Sequence, residues 1–408
     1  MKRSNLVTPR HAANHARHPW ATMFRTLSLS LAIVIGTVAS VGSIVLWKIQ
    51  SSIASVSLGD VKLSGIAEMK GAFNVLIIGS DTREGLSSGF GDISSALNDV
   101  NIVVHVSADH TRATAVSIPR DLIVPIPECP YADGTGNYAA MTAQPINSAL
   151  SYGGLPCVVL TIEALTGLDI QYAGLITFDG VAQLATAVGG VDVCVNGPIN
   201  DPYTGLTFPA AGTYSVQGWQ ALAFLRTRHG VGDGSDLGRI SSQQVYLSSL
   251  VRKIQDEGVL YDPTKVYGLA SVAAHNMTLS TSLAGVDTMA AMALVLKDIP
   301  RDRITFVQYP GTTGLGGIYE NKVAPLTTLA DELFAAIASD AEFSLDENAT
   351  GVGSTLEGDT ATPSPTATST PSPTATTPGT PTPTATDDGV LHGIQGQTAD
   401  QKTCSVAN

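Results

Sequence analysis

The sequence predicts an α/β domain behind a single transmembrane helix. Two observations lead to the domain. From about residue 72 to about residue 345, short apolar runs alternate with segments of three- and four-residue periodicity, the pattern of strands and helices packed in layers. Polar residues also cluster at the ends of the apolar strands, where open α/β sheets build their sites. The third observation is Leu27 to Trp47, 21 residues without a charge. At 1.5 Å per residue that run spans about 30 Å, the hydrocarbon thickness of a bilayer.

The first 26 residues carry Lys2, Arg3, Arg10, Arg17 and Arg25 and no acid. They predict a cytoplasmic tail before the helix by the positive-inside rule, with the remainder outside the cytoplasm. A cleaved signal peptide is the competing reading, because small residues near Thr37-Val38-Ala39 could offer a cleavage site. The run is long for that, which favours an uncleaved anchor at 27–47. Residues 48–70 are polar and small and read as a stalk, and residues 71–345 as the domain.

Within the domain, Phe73 to Ser80 is a buried strand running into Asp81-Thr82-Arg83. Asp99 to Val106 is a second strand with an acid at its start, and His105 within it reads as a core histidine. Ala113 to Ile118 is a third, stopped by Pro119 before Arg120. Ala173–Phe178, Val191–Val195 and Ile304–Gln308 are further strands. Ile146–Tyr152, Val158–Leu165, Asp179–Ala187, Pro263–Ala274, Leu283–Leu296 and Ala324–Ala338 have helical periodicity. Residues 346–388 hold a Pro/Thr/Ser/Ala tract that cannot build a core and reads as a disordered linker, with a short segment, 389–408, beyond it.

Four cysteines outside the cytoplasm suggest two disulfides, and no spacing suggests zinc. Three pairings are open. Cys129–Cys157, closing a local loop, with Cys194–Cys404, tying the tail to the domain, is favoured over the others and over free thiols.

The net charge is −13 and no basic run follows the N-terminus, which argues against nucleic acid as a partner. One stretch concentrates charge in a chain only 14% charged: Leu225-Arg226-Thr227-Arg228, continuing to Asp236-Leu237-Gly238-Arg239 and Gln243. Arg226 and Arg228 alternate as on one face of an extended exit from an apolar element. Asp236, Arg239 and Gln243 share a face near the start of a helix. Arginine forks match phosphate oxygens bidentately and a helix N-terminus adds free N–H groups, so the stretch reads as a phosphate or pyrophosphate clamp. The alternative is a salt-bridged surface helix.

Several separated blocks resemble the LytR-CpsA-Psr family of cell-wall glycopolymer ligases, over roughly residues 70 to 340. They are Asn74 to Arg83, Asn98-Asp99-Val100, Ser117-Ile118-Pro119-Arg120-Asp121-Leu122, Asn147 with Gly153-Gly154, Phe178-Asp179-Gly180 with Gly189-Gly190, and the arginine stretch through Gln243. The resemblance implies a three-layer α/β/α domain with a central mixed sheet. It implies a single-pass membrane protein that transfers a glycopolymer from a polyprenyl-pyrophosphate carrier to peptidoglycan with magnesium. Arg120, Arg226, Arg228, Arg239 and Gln243 would then hold the pyrophosphate, with Asp236 orienting the arginines or assisting the acceptor hydroxyl. Arg83, Asp121 and Asn147 would contact substrate, and Asp81 and Asp99 would hold the metal. The apolar interior between sheet and helices would house the lipid tail.

Two positions depart from the family pattern. Leu97 stands where an arginine is usual, with Arg83 a possible replacement, and Ser242 stands where arginine often precedes the glutamine. Leu97 keeps open a non-catalytic, membrane-tethered wall-binding or regulatory protein, and water in place of the sugar hydroxyl as acceptor keeps open a polyprenyl-pyrophosphate hydrolase.

Overall fold

The computed structural model describes residues 19–58, 69–80, 96–131, 134–347, 349–358 and 389–408. The chain forms two compact units. The first holds helix α1 (Pro19–Ser52), 34 residues long. Leu27, Leu29, Leu31, Ile33, Ile35, Ile44 and Trp47 are all exposed on it, and Leu27–Ile44 is apolar enough to cross a bilayer. A helix with apolar residues on every side has no polar face to turn to water, which suits a membrane span.

The second unit is built on an eight-stranded mixed sheet. Its strands are β1 (Ala54–Val56), β2 (Phe73–Ser80), β3 (Asn98–Val106), β4 (Ala113–Ile118), β5 (Tyr172–Thr177), β6 (Met277–Ser280), β7 (Ile304–Gln308) and β8 (Gly396–Thr398), in the order β1-β6-β5-β2-β3-β4-β7-β8. The β1–β6, β5–β2 and β4–β7 pairs are parallel and the rest antiparallel. The period of two sorts each strand's side chains. Leu76 and Ile78 of β2 pack on one face with Val158 and Ile162 of α2 (Ala149–Thr166) and Leu333 and Phe334 of the C-terminal helix Thr327–Ala338. Val75 and Ile77 turn to the other face, toward Leu247 and Val251 of the helix Asp236–Asp256 and Met289 and Met292 of the helix Val286–Asp298. Helices on both faces of a mixed sheet make the expected three layers.

A second sheet, Gly212–Val216, Val191–Val195, Thr403–Ser405 and Ser354–Leu356 in spatial order, packs its core against Phe224 and Tyr246. Both disulfides form as favoured, Cys129–Cys157 and Cys194–Cys404, and there is no free cysteine.

Three segments differ from the sequence reading. The segment taken as a stalk supplies edge strand β1, whose Ala54, Ser55 and Val56 pair with Thr278, Leu279 and Ser280. A three-residue strand is too short for its period to stand out from a polar stretch. The short C-terminal segment belongs to the domain: β8 extends the main sheet, and Thr403–Ser405 lies between Val191–Val195 and Ser354–Leu356 in the second. The Ser354–Leu356 strand falls inside the segment read as linker, while residues 359–388, the bulk of that tract, lie outside the described residues. The two helices expected around residue 150 are present: they meet in α2 at a break where Gly153 and Gly154 leave helical geometry, just before Pro156, which cannot donate to a continuous ladder.

Candidate functional site

The site begins where β4 ends. Pro119 stops the strand, and the next residue, Arg120, turns toward the start of β3, where its Nη1 donates to Asp99 Oδ1 at 2.5 Å. Its backbone N–H donates to Asp236 Oδ2 at 2.9 Å, and its carbonyl accepts from Asn147 N at 3.1 Å. One residue is thus fixed by a strand, a helix start and the 3₁₀ turn that opens α2.

Asp236 opens the helix Asp236–Asp256, where an acid complements the exposed N–H groups. Ser235 caps it by accepting from Gly238 N. Arg239, one turn on, reaches Asp236 Oδ1 at 2.6 Å and donates to the Asp99 carbonyl at 2.9 Å. Gln243, one turn further, donates its amide to the Leu225 carbonyl at 2.8 Å. The predicted common face of Asp236, Arg239 and Gln243 is present, and all three are buried.

Asp121 is the second hub. Its Oδ1 accepts from Lys322 Nζ at 3.0 Å, and its Oδ2 lies 3.4 Å from Arg228 Nη1 and 3.7 Å from Arg120 Nε. Burial works against its charge, but Lys322, Arg120 and Arg228 outweigh that and hold its carboxyl below the usual range. Burial likewise opposes the Arg120 charge and is outweighed by Asp99, Asp236 and Asp121, which raise its pKa.

The cluster gathers Arg120, Arg228, Arg239 and Lys322 against Asp99, Asp121 and Asp236. The Nε–H groups of Arg120, Arg228 and Arg239 are buried and have no hydrogen-bond acceptor among the described residues. A buried donor left without a partner costs free energy, of order 1–3 kcal/mol. All three belong to the one ion-pair cluster around Asp99, Asp121 and Asp236.

Beside the cluster, the sheet is incompletely covered. Val75 and Ile77 of β2 and Val100 and Val104 of β3, in the middle of the sheet, are only partly buried, as are Leu247, Val251, Met277 and Met289 around the same face. Central strands normally bury such side chains fully.

The remaining predicted residues are placed differently. Arg226 closes the helix Gly218–Arg226, and its guanidinium sits 4.3 Å from the centre of the Phe178 ring. The extended exit expected for it begins one residue later, at Thr227, so Arg226 and Arg228 do not share a strand face. The apolar Ala221–Leu225 run suits a strand or a helix, and its packing on Ile199, Phe208 and Val216 decides for the helix. Asp81 and Arg83 lie outside the described residues. Asp99, the other metal candidate, is paired with Arg120, and no three acidic, histidine or cysteine side chains converge as a metal site among the described residues.

Three residues of the site have no role assigned from sequence. Lys322 arrives from the glycine-rich stretch 311–322, whose charged residues are Glu320 and Lys322. Asn98 is buried, with Nδ2 donating to the Ile146 carbonyl and Oδ1 accepting from Leu150 N, so it ties β3 to the start of α2. Asp201, also buried, accepts from Thr227 Oγ1 at 2.6 Å and from Tyr203 N at 2.9 Å. Burial opposes its charge, but the bonds from Thr227 and from the N–H groups of Tyr203, Thr204 and Arg228 hold its carboxyl below the ordinary value. Asp201 thereby fixes the backbone on which Arg228 stands.

The chain matches the LytR_cpsA_psr family over residues 47–336 and belongs to it. It is 27% identical over 345 residues to the cell wall biosynthesis protein LcpA of Corynebacterium glutamicum, covering 76% of this chain and 64% of that protein. It is 29% identical to TagT of Bacillus subtilis, a polyisoprenyl-teichoic acid–peptidoglycan teichoic acid transferase, over 57% of this chain and 70% of the relative. In C. glutamicum the match to the probable cell wall biosynthesis protein LcpB covers 48% of its length, so the chain spans about half to two thirds of these C. glutamicum relatives. The fold resembles a LytR-Csp2A-Psr enzyme from Actinomyces oris, with a TM-score of 0.52 at 21% identity over 70% of this chain and 95% of that one. It also resembles B. subtilis TagV, with a TM-score of 0.52 at 22% identity over 67% and 99%.

Proposed function

We propose that this protein is a phosphotransferase that moves a glycopolymer from a polyprenyl-pyrophosphate carrier to peptidoglycan and releases polyprenyl phosphate. The observation that carries the reading is the set of three buried arginine Nε–H groups without acceptors, with Lys322 beside them. A pyrophosphate supplies several anionic oxygens, and guanidinium forks stabilise charge that builds on it in transfer. The partly uncovered apolar face between β2, β3, Leu247 and Met289 suits a prenyl tail running away from the charge.

In this reading the acceptor hydroxyl oxygen attacks the phosphorus that carries the glycopolymer. The bridging P–O bond to the lipid-side phosphate breaks, and the hydroxyl proton ends on the released polyprenyl phosphate. Arg120, Arg228 and Arg239 hold the phosphates in line, and Lys322 adds charge in a chain with Leu97 at the usual arginine position. Asp236, with both oxygens turned to Arg120 and Arg239, orients the arginines. Gln243, bonded to the Leu225 carbonyl, steadies the loop that leads to Arg228. Arg226, stacked on Phe178, borders the site, and Asn147 supports Arg120 through its backbone.

Magnesium belongs to the reading, and Asp99 and Asp81 are the residues that would hold it. The hard carboxylate oxygen of Asp99 suits that ion, which commonly takes one or two carboxylates and completes its shell with phosphates and water. When bound, it neutralises charge on the phosphate oxygens. Helix α1 and the two disulfides support an anchored protein with a cytoplasmic N-terminus and its catalytic domain outside.

The test supplies the full-length protein with a polyprenyl-pyrophosphate-linked sugar, magnesium and peptidoglycan fragments. Polyprenyl phosphate release stimulated by the acceptor, with sugar appearing on the glycan, is the expected result. Release indifferent to the acceptor makes the protein a hydrolase, and tight lipid binding without release makes it non-catalytic.

A further inference from the structure

An exposed aromatic pair stands next to the arginine cluster and has no part in the fold's packing. Tyr203, at the tip of the hairpin between Ile199–Asp201 and Leu206–Phe208, is 79% exposed. Its ring centre lies 4.5 Å from that of His229, tilted by 40°. His229 directly follows Arg228 and is exposed as well.

An exposed tyrosine at a hairpin tip is ordinarily loose, but this one is held from beneath. Asp201 Oδ1 accepts from Tyr203 N, and the Asp201 carbonyl accepts from Gly205 N at 2.8 Å, which closes the turn. Asp201 Oδ2 accepts from Thr227, so one buried carboxylate fixes both the turn bearing Tyr203 and the segment bearing His229. On the far side, the His229 carbonyl accepts from Asn408 Nδ2 at 3.1 Å, and the Gly230 carbonyl accepts from Asn408 N at 3.1 Å. The backbone beneath both rings is therefore fixed, one residue from a guanidinium aimed at the phosphate site.

We propose that Tyr203 and His229 form a carbohydrate subsite, on which a pyranose ring stacks while the phosphate it carries or receives lies at Arg228. The negative face of an aromatic ring attracts the C–H face of a sugar, and the ring offers large contact area at low entropic cost. The inference rests on the transferase reading, and it names where a substrate sugar sits. The same chemistry belongs to the glycopolymer's first sugar and to the peptidoglycan acceptor.

The experiment uses the full-length protein in lipid vesicles, as wild type, Tyr203→Ala and Tyr203→Trp. Two Michaelis constants are measured, one for a disaccharide-bearing polyprenyl pyrophosphate and one for muramidase-released peptidoglycan oligosaccharides. Binding of each probe alone is measured by calorimetry. Tyr203→Ala raises one of the two constants by about tenfold with kcat little changed, and Tyr203→Trp restores it. Movement of the acceptor constant assigns the subsite to peptidoglycan, and movement of the donor constant assigns it to the glycopolymer. If neither constant moves and neither probe binds more weakly to Tyr203→Ala, the subsite is refuted. A wild type that binds the saccharides through Tyr203 without turning over retains the subsite and loses the transferase reading.

Discussion

Arg120 Nη1 and Asp99 Oδ1 are 2.5 Å apart, and this contact joins the end of β4 to the start of β3 at the centre of the site. Because the Asp99 carbonyl also receives Arg239, the position of one aspartate sets two arginines. Asp99→Asn keeps the shape but removes the charge. A charge-assisted bond contributes about 1.5–3 kcal/mol, so polyprenyl phosphate release falls roughly ten- to hundredfold. The magnesium response weakens with it. A magnesium titration of the variant that matches the wild type removes Asp99 from the metal site.

Lys322 is expected to matter although the chain places it far from the arginine stretch. Lys322→Ala leaves Asp121 with Arg120 and Arg228 alone and removes one positive charge from the cluster. Catalytic efficiency falls by about tenfold, while the far-ultraviolet dichroism stays that of the wild type. An unchanged kcat/KM assigns Lys322 to the surface.

His105 makes the domain sensitive to acid. It lies in β3 with Nδ1 against Asn74 Oδ1 at 2.8 Å and Nε2 at 3.5 Å from Asp340 Oδ1, with Arg112 beyond. Burial lowers its pKa below 6.5; Asp340 favours the proton but does not overcome burial, and Arg112 opposes it. The unfolded chain therefore takes up a proton first as pH falls through 6.5, and stability drops until the folded-state pKa is passed. His105→Gln does not titrate, so its melting temperature declines less between about pH 7 and pH 5. Parallel declines in the two proteins contradict this account.

The Cys194–Cys404 disulfide spans 210 residues and anchors the strand Thr403–Ser405. From that anchor the tail reaches the arginine loop: Gly232 N donates to the Val406 carbonyl at 2.9 Å, and Ala407 bridges Val231. Replacing both cysteines by serine lowers stability by about 2–5 kcal/mol in denaturant unfolding. It also raises the donor KM at temperatures where the variant is still folded, because the loop after Arg228 loses its support. A variant with wild-type KM limits the disulfide to stability.

The layered sheet was legible because its longer strands are apolar runs bounded by polar residues and its helices carry an apolar face. Phe73–Ser80, Ala113–Ile118, Val191–Val195 and Ile304–Gln308 have the residue bounds read from sequence. Short strands were not legible: Ala54–Val56 and Ser354–Leu356 are strands only because a partner lies beside them. In the site, Asp236, Arg239 and Gln243 could be grouped because a helix fixes their spacing. Lys322 and Asp201 could not, since tertiary packing brings one from a loop and the other from the end of a three-residue strand. Ser242 is fully buried and donates to Ser405 Oγ at 2.9 Å, so the C-terminal strand Thr403–Ser405 packs directly against it.

The central claim is that Arg120 and Arg228 grip one pyrophosphate. It is tested most directly by a double-mutant cycle on the rate of polyprenyl phosphate release. Arg120→Ala and Arg228→Ala each lower kcat/KM by about 10²–10³ with the fold intact, and the double variant loses less than the product of the two. Unchanged turnover in both single variants, or losses that vanish once unfolded protein is discounted, would contradict it.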